Sequence, residues 1–196
     1  RAMNINPSVW HMNEGHTAFT ILERIREWVS SGLSYEVAAD RVRRSTIFTT
    51  HTPVAAGHDI YHSSLIEKYF ASYWPSMGLD QAGFWALGRH QASWGEAFNM
   101  TALALRLSEG HNAVSALNGK ISRKMWHGAL WPDQKEEQVP IISITNGIHV
   151  PTWVALEIKQ LYQDHLAPDW IHRHDDPMLW SKVFDIKDTL FWETHL

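Results

Sequence analysis

The stretch Ile47-Phe48-Thr49-Thr50-His51-Thr52-Pro53 constrains the fold more than any other part of the chain. An apolar run opens into polar residues and stops at a proline. β-Branched and aromatic residues suit a pleated, covered surface. Pro53 lacks a backbone donor, so a sheet ladder is not expected to pass through it. The following Ala55-Ala56-Gly57-His58-Asp59 suits a loop. A short buried strand is therefore predicted, with His51 presented at its carboxyl end. In open α/β sheets that edge is where ligands bind.

Three other segments read in the same way. Ser8-Val9-Trp10-His11-Met12 is a strand candidate running into Asn13-Glu14-Gly15-His16. Met100 to Leu107 alternates enough to predict a strand, although its composition also permits a helix, and Ser108-Glu109-Gly110-His111-Asn112 breaks it. Val139 to Thr145 is the clearest strand, closed by Asn146-Gly147.

Helical spacing separates these segments. Ala18, Ile21, Leu22, Ile25, Trp28 and Val29 predict a helix from about Thr17 to Ser30. Ser34 predicts an N-cap for a second helix ending at Arg44. Ser63 to Trp74 is stopped by Pro75, and Val114 to Trp126 carries Leu117, Ile121 and Met125 on one stripe. Residues 76 to 98 read as an irregular surface excursion. Such alternation predicts an α/β fold with a doubly wound, Rossmann-like parallel sheet. All strand ends would then share one edge, gathering Asn13 to His16, His51, Ser108 to Asn112, and Asn146-Gly147. Side chains of this kind suit a polyhydroxylated ligand better than a phosphate or a metal.

Composition removes several function classes. Hydrophobic residues at 44% and charged residues at 19% are globular values. A net charge of -4 without a Lys/Arg block argues against nucleic acid. The absence of cysteine excludes disulfides and thiolate metal sites. No apolar run reaches the roughly 20 residues of a membrane-spanning helix, and Arg1-Ala2-Met3-Asn4 lacks the apolar core of a secretory signal. Eleven tryptophans offer flat faces for sugar rings or for core packing. With no initiator Met and an abrupt end at Glu193-Thr194-His195-Leu196, the chain reads as a piece of something longer.

His11, Glu14 and His16 resemble a metal cluster at first sight. The zinc-protease pattern needs two histidines four apart on one helical face. Here they straddle a strand-to-loop junction, so no metal site is expected. His11 reads as a satisfied core histidine, and Glu14 also suits the N-terminus of the following helix. There is no Gly-x-Ser-x-Gly elbow, Walker motif or dinucleotide fingerprint.

Taken in order, His11-Met12-Asn13-Glu14-Gly15-His16, Phe48 to Asp59, Asn99-Met100-Thr101, Val114-Ser115-Ala116-Leu117, Ser122-Arg123-Lys124-Met125-Trp126 and Thr145-Asn146-Gly147-Ile148-His149 resemble the α-glucan (glycogen/maltodextrin) phosphorylases of the shorter bacterial and archaeal type. That resemblance implies a two-domain glycosyltransferase fold of the GT-B type. Residues 1–147 would be the late part of the N-terminal domain, and residues 148–196 the crossing into an incomplete cofactor domain. It also implies a cytoplasmic enzyme that transfers terminal α-1,4-linked glucose onto inorganic phosphate, with pyridoxal phosphate on a lysine beyond Leu196. His51 and Asn146 would hold the glucosyl unit, and Glu14 and His16 would line the pocket beside the anomeric carbon. No catalytic or cofactor-binding residue is assigned in this chain. Its implied partners are the glucan, phosphate and the rest of the same polypeptide; homo-oligomerisation stays open. Two departures stand out: Ala113 where the family usually has Gly, and Asn118 where the short enzymes usually have His.

Two other readings remain at this point. One is a nucleotide-sugar-dependent enzyme of the glycogen synthase kind, distinguished by lacking a cofactor lysine motif. The other is a non-enzymatic carbohydrate-binding domain with a tryptophan platform. The resemblance predicts that this chain alone forms no stoichiometric internal aldimine with pyridoxal phosphate. Absorbance and borohydride trapping measure this directly; one labelled lysine per chain would overturn it.

Overall fold

The computed structural model describes residues 3–195; Arg1 and Ala2 of the Arg1-Ala2-Met3-Asn4 segment, and Leu196 at the other end, lie outside the described residues. Two units meet between Asn146 and Gly147. In chain order the first comprises β1 (Trp10–Asn13), α1 (Phe19–Ser30), α2 (Tyr35–Arg44), β2 (Thr46–Thr50), β3 (Ile60–Tyr61), α3 (Ser63–Phe70), α4 (Gln81–Gly88), β4 (Arg89–Ala92), β5 (Gly95–Asn99), α5 (Met100–Arg106), β6 (Gly110–Ala113), α6 (Ala116–Leu130) and β7 (Ile142–Ser143). β1, β2, β6 and β7 pair in parallel in that order, and β3, β5 and β4 form a separate antiparallel sheet. The fold is thus α/β on a parallel sheet, as expected. Among the described residues the parallel strands follow chain order without reversal.

Register sorts the side chains of the parallel sheet into two faces, because neighbours along a strand alternate. Met12, Phe48 and His111 are cross-strand partners on one face, joined by Thr50 and Ala113, and all are buried. Met12, Phe48 and Ala113 share an apolar cluster with Ile21, Leu22 and Ile25 of α1, Leu103 of α5 and Trp126 of α6. The other face carries His11, Asn13, Ile47, Thr49, Asn112 and Ile142. His11 and Asn13 are exposed there, and Ile142 is 60% exposed. His11 is therefore not the core histidine expected. Its Nε2 lies 2.6 Å from Thr49 Oγ1, which donates to Asn112 Oδ1 at 2.7 Å.

One expected strand needs correction. Met100 to Leu107 is not a strand but α5, which is buried on every side. Uniform burial removes the polar stripe that would have marked a helical period. Its start was legible in Asn99, whose side chain accepts from the Ala102 amide at 3.0 Å. Ser108 to Asn112 accordingly leads into and forms β6 instead of ending a strand. His111 is tolerated inside the sheet because its ring nitrogens meet the carbonyls of Leu105, Ser108 and Pro140 at 2.9 to 3.1 Å.

Residues 76 to 98 are more regular than expected. Asp80 caps α4 by accepting from the Gly83 amide at 2.7 Å, and Phe84 of α4 stacks on Phe98 of β5 with ring centroids 5.7 Å apart. On α6 the stripe is also misplaced: Leu117 is 69% exposed, and the buried positions are Asn118, Gly119, Ser122 and Trp126. Gly119 lets α6 approach β7 closely, since a Cβ there would fall 2.0 Å from Ser143 Oγ. The Val139 to Thr145 segment contributes only two ladder residues, but Ile144 and Asn146 still donate to Ala113 and Val114 at 2.9 and 3.1 Å.

The second unit contains α7 (Val150–Trp153), α8 (Leu156–His165), α9 (Pro177–Trp180) and α10 (Asp188–His195). Val150, Leu161, Leu166, Trp170, Leu179 and Ile186 form its core. Asp176 caps α9 by accepting from the Met178 and Leu179 amides at 2.9 and 3.3 Å. Among the described residues no helix is long and apolar enough to cross a membrane.

Burial holds the imidazoles of His58, His90 and His111 below their ordinary range. For His58 nearby His90 adds to the effect and Glu14 opposes it; for His111 the surrounding carbonyls oppose it. The unfolded chain protonates these rings near pH 6.5, the folded chain only at lower pH. Their contribution to stability is complete above about pH 6.5 and is lost as pH falls through the folded values. The urea midpoint, followed by tryptophan fluorescence, should therefore drop between pH 7 and pH 5. A flat midpoint over that interval would show the three rings to be solvated.

Candidate functional site

Pairing of Asn13 with Thr49 and of Thr50 with Ala113 sets the carboxyl ends of β1, β2 and β6 side by side. The turn leaving β1 starts at Glu14, whose amide donates to the Thr49 carbonyl at 2.9 Å. Glu14 has φ 71° and ψ 166°, a combination that is almost exclusive to glycine. Holding a side-chain-bearing residue there costs about 1–3 kcal/mol.

The Glu14 carboxylate offsets that cost. Oε2 accepts from the His51 amide at 2.8 Å, the Thr52 amide at 3.0 Å and the Thr52 hydroxyl at 2.9 Å. Oε1 accepts from the Gly15 amide at 3.2 Å and the Thr50 hydroxyl at 3.5 Å. Hydrogen bonds to an ionised acceptor are roughly twice as strong as neutral ones. Gly15 then packs on α5, where a Cβ would stand 2.8 Å from Thr101 Oγ1 and 3.3 Å from the Thr101 amide. Thr101 Oγ1 also meets His58 Nδ1 at 2.9 Å.

His51 is exposed, with Nε2 2.6 Å from Asn13 Oδ1. A carboxamide oxygen only accepts, so Nε2 carries the hydrogen and Nδ1 of the neutral ring is left as an acceptor. The His51 carbonyl accepts from Asn118 Nδ2 at 3.3 Å, while Asn118 Oδ1 accepts from the Val114 amide at 3.3 Å. Asn146 is exposed and donates its backbone amide to the Val114 carbonyl at 3.1 Å. His51, through the Asn118 carboxamide, and Asn146 are thus tied to the same residue, Val114, the first at its amide and the second at its carbonyl. His16 stands exposed on the 3-10 turn Gly15–Thr17.

The structure therefore brings Glu14 and His51 into direct contact, links Asn146 to them through Val114, and leaves His16 on the adjoining turn. Ser108 to Gly110 stand at the opposite end of β6, whereas Asn112 lies level with Thr49 and Asn13. Sequence reasoning missed Thr52 and Asn118. Asn118 could have been found: it lies three residues after the cap Ser115, whose hydroxyl accepts from its amide at 3.1 Å, on the face of α6 that turns inward. Its burial at 7% exposure marks a side chain with bonds to make.

Among the described residues no three His, Cys, Asp or Glu side chains are grouped to hold a metal ion. Nor do the lysines fit a Schiff-base role, which calls for a desolvated amine. All are exposed except half-buried Lys159, which donates to the Pro151 carbonyl at 2.7 Å.

No family model matches the chain. Curated relatives do. A maltodextrin phosphorylase of Thermococcus litoralis is 40% identical over 196 residues, which is 100% of this chain and 23% of that protein. A glycogen phosphorylase of Aquifex aeolicus is 34% identical, covering 99% of this chain and 28% of the relative. A glycogen phosphorylase of Mycobacterium tuberculosis is 37% identical, covering 95% and 22%. The chain thus spans about a quarter of the length of these relatives, and its resemblance to the α-glucan phosphorylases extends over its whole length.

The close approach at Gly15 generates a stability test. Gly15→Ala should cost about 1–3 kcal/mol in urea denaturation, the usual range for overpacking. Thr101→Ala in the same chain should recover part of that loss, a coupling that a double-mutant cycle isolates. Strictly additive losses would mean that the two residues do not meet.

Proposed function

We propose that this chain is part of an α-glucan phosphorylase and carries the glucose-facing edge of its N-terminal domain. The observation that carries this reading is the full-length similarity to relatives named glycogen or maltodextrin phosphorylase, with His51 just past β2 and Asn146 past β7, on either side of β6. In the complete polypeptide the reaction breaks the terminal α-1,4 glycosidic bond and forms the bond from the same anomeric carbon to phosphate oxygen. The leaving glucan hydroxyl takes up a proton. Pyridoxal phosphate would be held by a lysine elsewhere in the polypeptide. The four parallel strands would be one arm of a doubly wound sheet in a GT-B enzyme of the cytoplasm. Residues 1–147 would belong to its N-terminal domain and residues 148–196 to the crossing toward the cofactor domain.

Within the site, His51 Nδ1 accepts a hydrogen bond from the 6-hydroxyl of the glucosyl unit, and the Asn146 carboxamide completes that hydroxyl's bonding. Both act by holding the sugar in place for attack, a contribution of proximity and orientation. Glu14 and His16 form the neighbouring wall, beside the anomeric carbon. A non-enzymatic sugar-binding module is less well supported, because Trp126 and Trp170 are buried and most other tryptophans pack against the two cores.

A buried hydroxyl left without its partner costs about 1–3 kcal/mol, or roughly 5- to 150-fold in rate. In the complete polypeptide Asn146→Ala should slow glucosyl transfer by a factor in that range. Transfer of a xylosyl unit, which lacks the hydroxymethyl group, should be slowed much less. Equal losses with both sugars would place Asn146 outside the sugar contact.

A further inference from the structure

We infer that Glu14 is a positioning residue whose carboxylate fixes the peptide between His51 and Thr52 for sugar recognition, with Asn118 holding the same peptide from the other side. This inference rests on the sugar-site reading above and specifies how one part of that site works. That peptide is gripped at both ends: the Thr52 amide donates to Glu14 Oε2 at 3.0 Å, and the His51 carbonyl accepts from Asn118 Nδ2 at 3.3 Å. Glu14 Oε2 also accepts from the His51 amide and the Thr52 hydroxyl, so the carboxylate oxygen aimed at the loop is fully engaged. An oxygen already accepting three hydrogen bonds is a poor general base and a poor further acceptor for a sugar hydroxyl. Its service is to the loop.

Other features agree with that assignment. Glu14 is one of two non-glycine residues with positive φ among those described, and its strained backbone points the carboxylate back toward β2. Gly15 and Thr101 leave no room for the turn to settle deeper. Asn13, the residue before Glu14, bonds the His51 ring at Nε2, so the same turn sets both the peptide and the tautomer of His51. A glutamine at position 14 could keep one oxygen toward His51 and Thr52 without the charge. An alanine would keep none.

The test compares Glu14→Ala, Glu14→Gln, His51→Ala and the double variant Glu14→Ala/His51→Ala in the complete polypeptide. Transfer from glucose 1-phosphate and from xylose 1-phosphate to a maltooligosaccharide is measured for each. Glu14→Ala should lower kcat/KM for glucosyl transfer about 100-fold, and Glu14→Gln less than about tenfold, with the pH profile keeping both limbs. The double variant should be scarcely worse than His51→Ala alone, because the two residues act as one unit. Multiplicative losses in the double variant, or Glu14→Gln as damaged as Glu14→Ala with one pH limb gone, would overturn the inference. If His51→Ala slows both sugars equally, it is the sugar-site assignment that fails. The coupling between Glu14 and His51 still decides the positioning role, since it does not depend on which hydroxyl is bound. Should Glu14→Ala fail to fold, the Glu14→Gln rates and pH profile decide alone.

Discussion

Strand β2 is paired along both edges, to β1 on one side and β6 on the other, and the site depends on that double pairing. A strand fixed on both sides cannot slip by one residue without reversing every side chain between its two faces. Phe48 would leave the core and Ile47 would enter it. With register pinned, the place where β2 ends is pinned too. Thr50 sits opposite Ala113, so His51 emerges where Val114 leaves β6. The bonds from Glu14 and Asn118 then need to span only short gaps, although their donors and acceptors are 37 and 67 residues apart in the chain.

The chemistry of this edge is conservative in its use of charge. Glu14 is spent on backbone amides, and the groups left facing outward are an imidazole and a carboxamide. Both can donate or accept, which matches the ambivalent hydroxyls of a sugar. A strongly cationic edge would instead have favoured a bare anion. The outer face of the sheet follows the same habit, with His11, Thr49 and Asn112 bonded in a row across three strands.

Sequence reasoning reached the parts of this architecture that local chemistry controls. The Ile47 to Thr50 strand, the helix after Glu14 and the cap at Ser34 were legible because apolar period and capping residues coincide there. It failed where burial is uniform. α5 has no polar stripe, and β6 begins with Gly110 and carries His111 and Asn112, whose partners include Pro140 and Thr49 from distant segments. At the site, residue types at strand ends pointed to His51 and Asn146. The division of labour within it was not legible, because a glutamate that lines a pocket and one that grips a neighbouring loop have the same sequence.

The backbone of Glu14 has a consequence for how the chain acquires its shape. A non-glycine residue scarcely visits φ 71° and ψ 166° in an unfolded chain, so no local preference builds this turn. It can form only after β1 has docked on β2 and the His51 and Thr52 amides are in reach. Closing such a loop is entropically costly and is rewarded late. The carboxyl edge of the sheet is therefore expected to assemble late and to open early in local fluctuations. A chain with its sheet in place but this turn relaxed would have native-like secondary structure and no organised loop after β2. On the proposed reading, completion of the fold and competence to bind sugar would be one event.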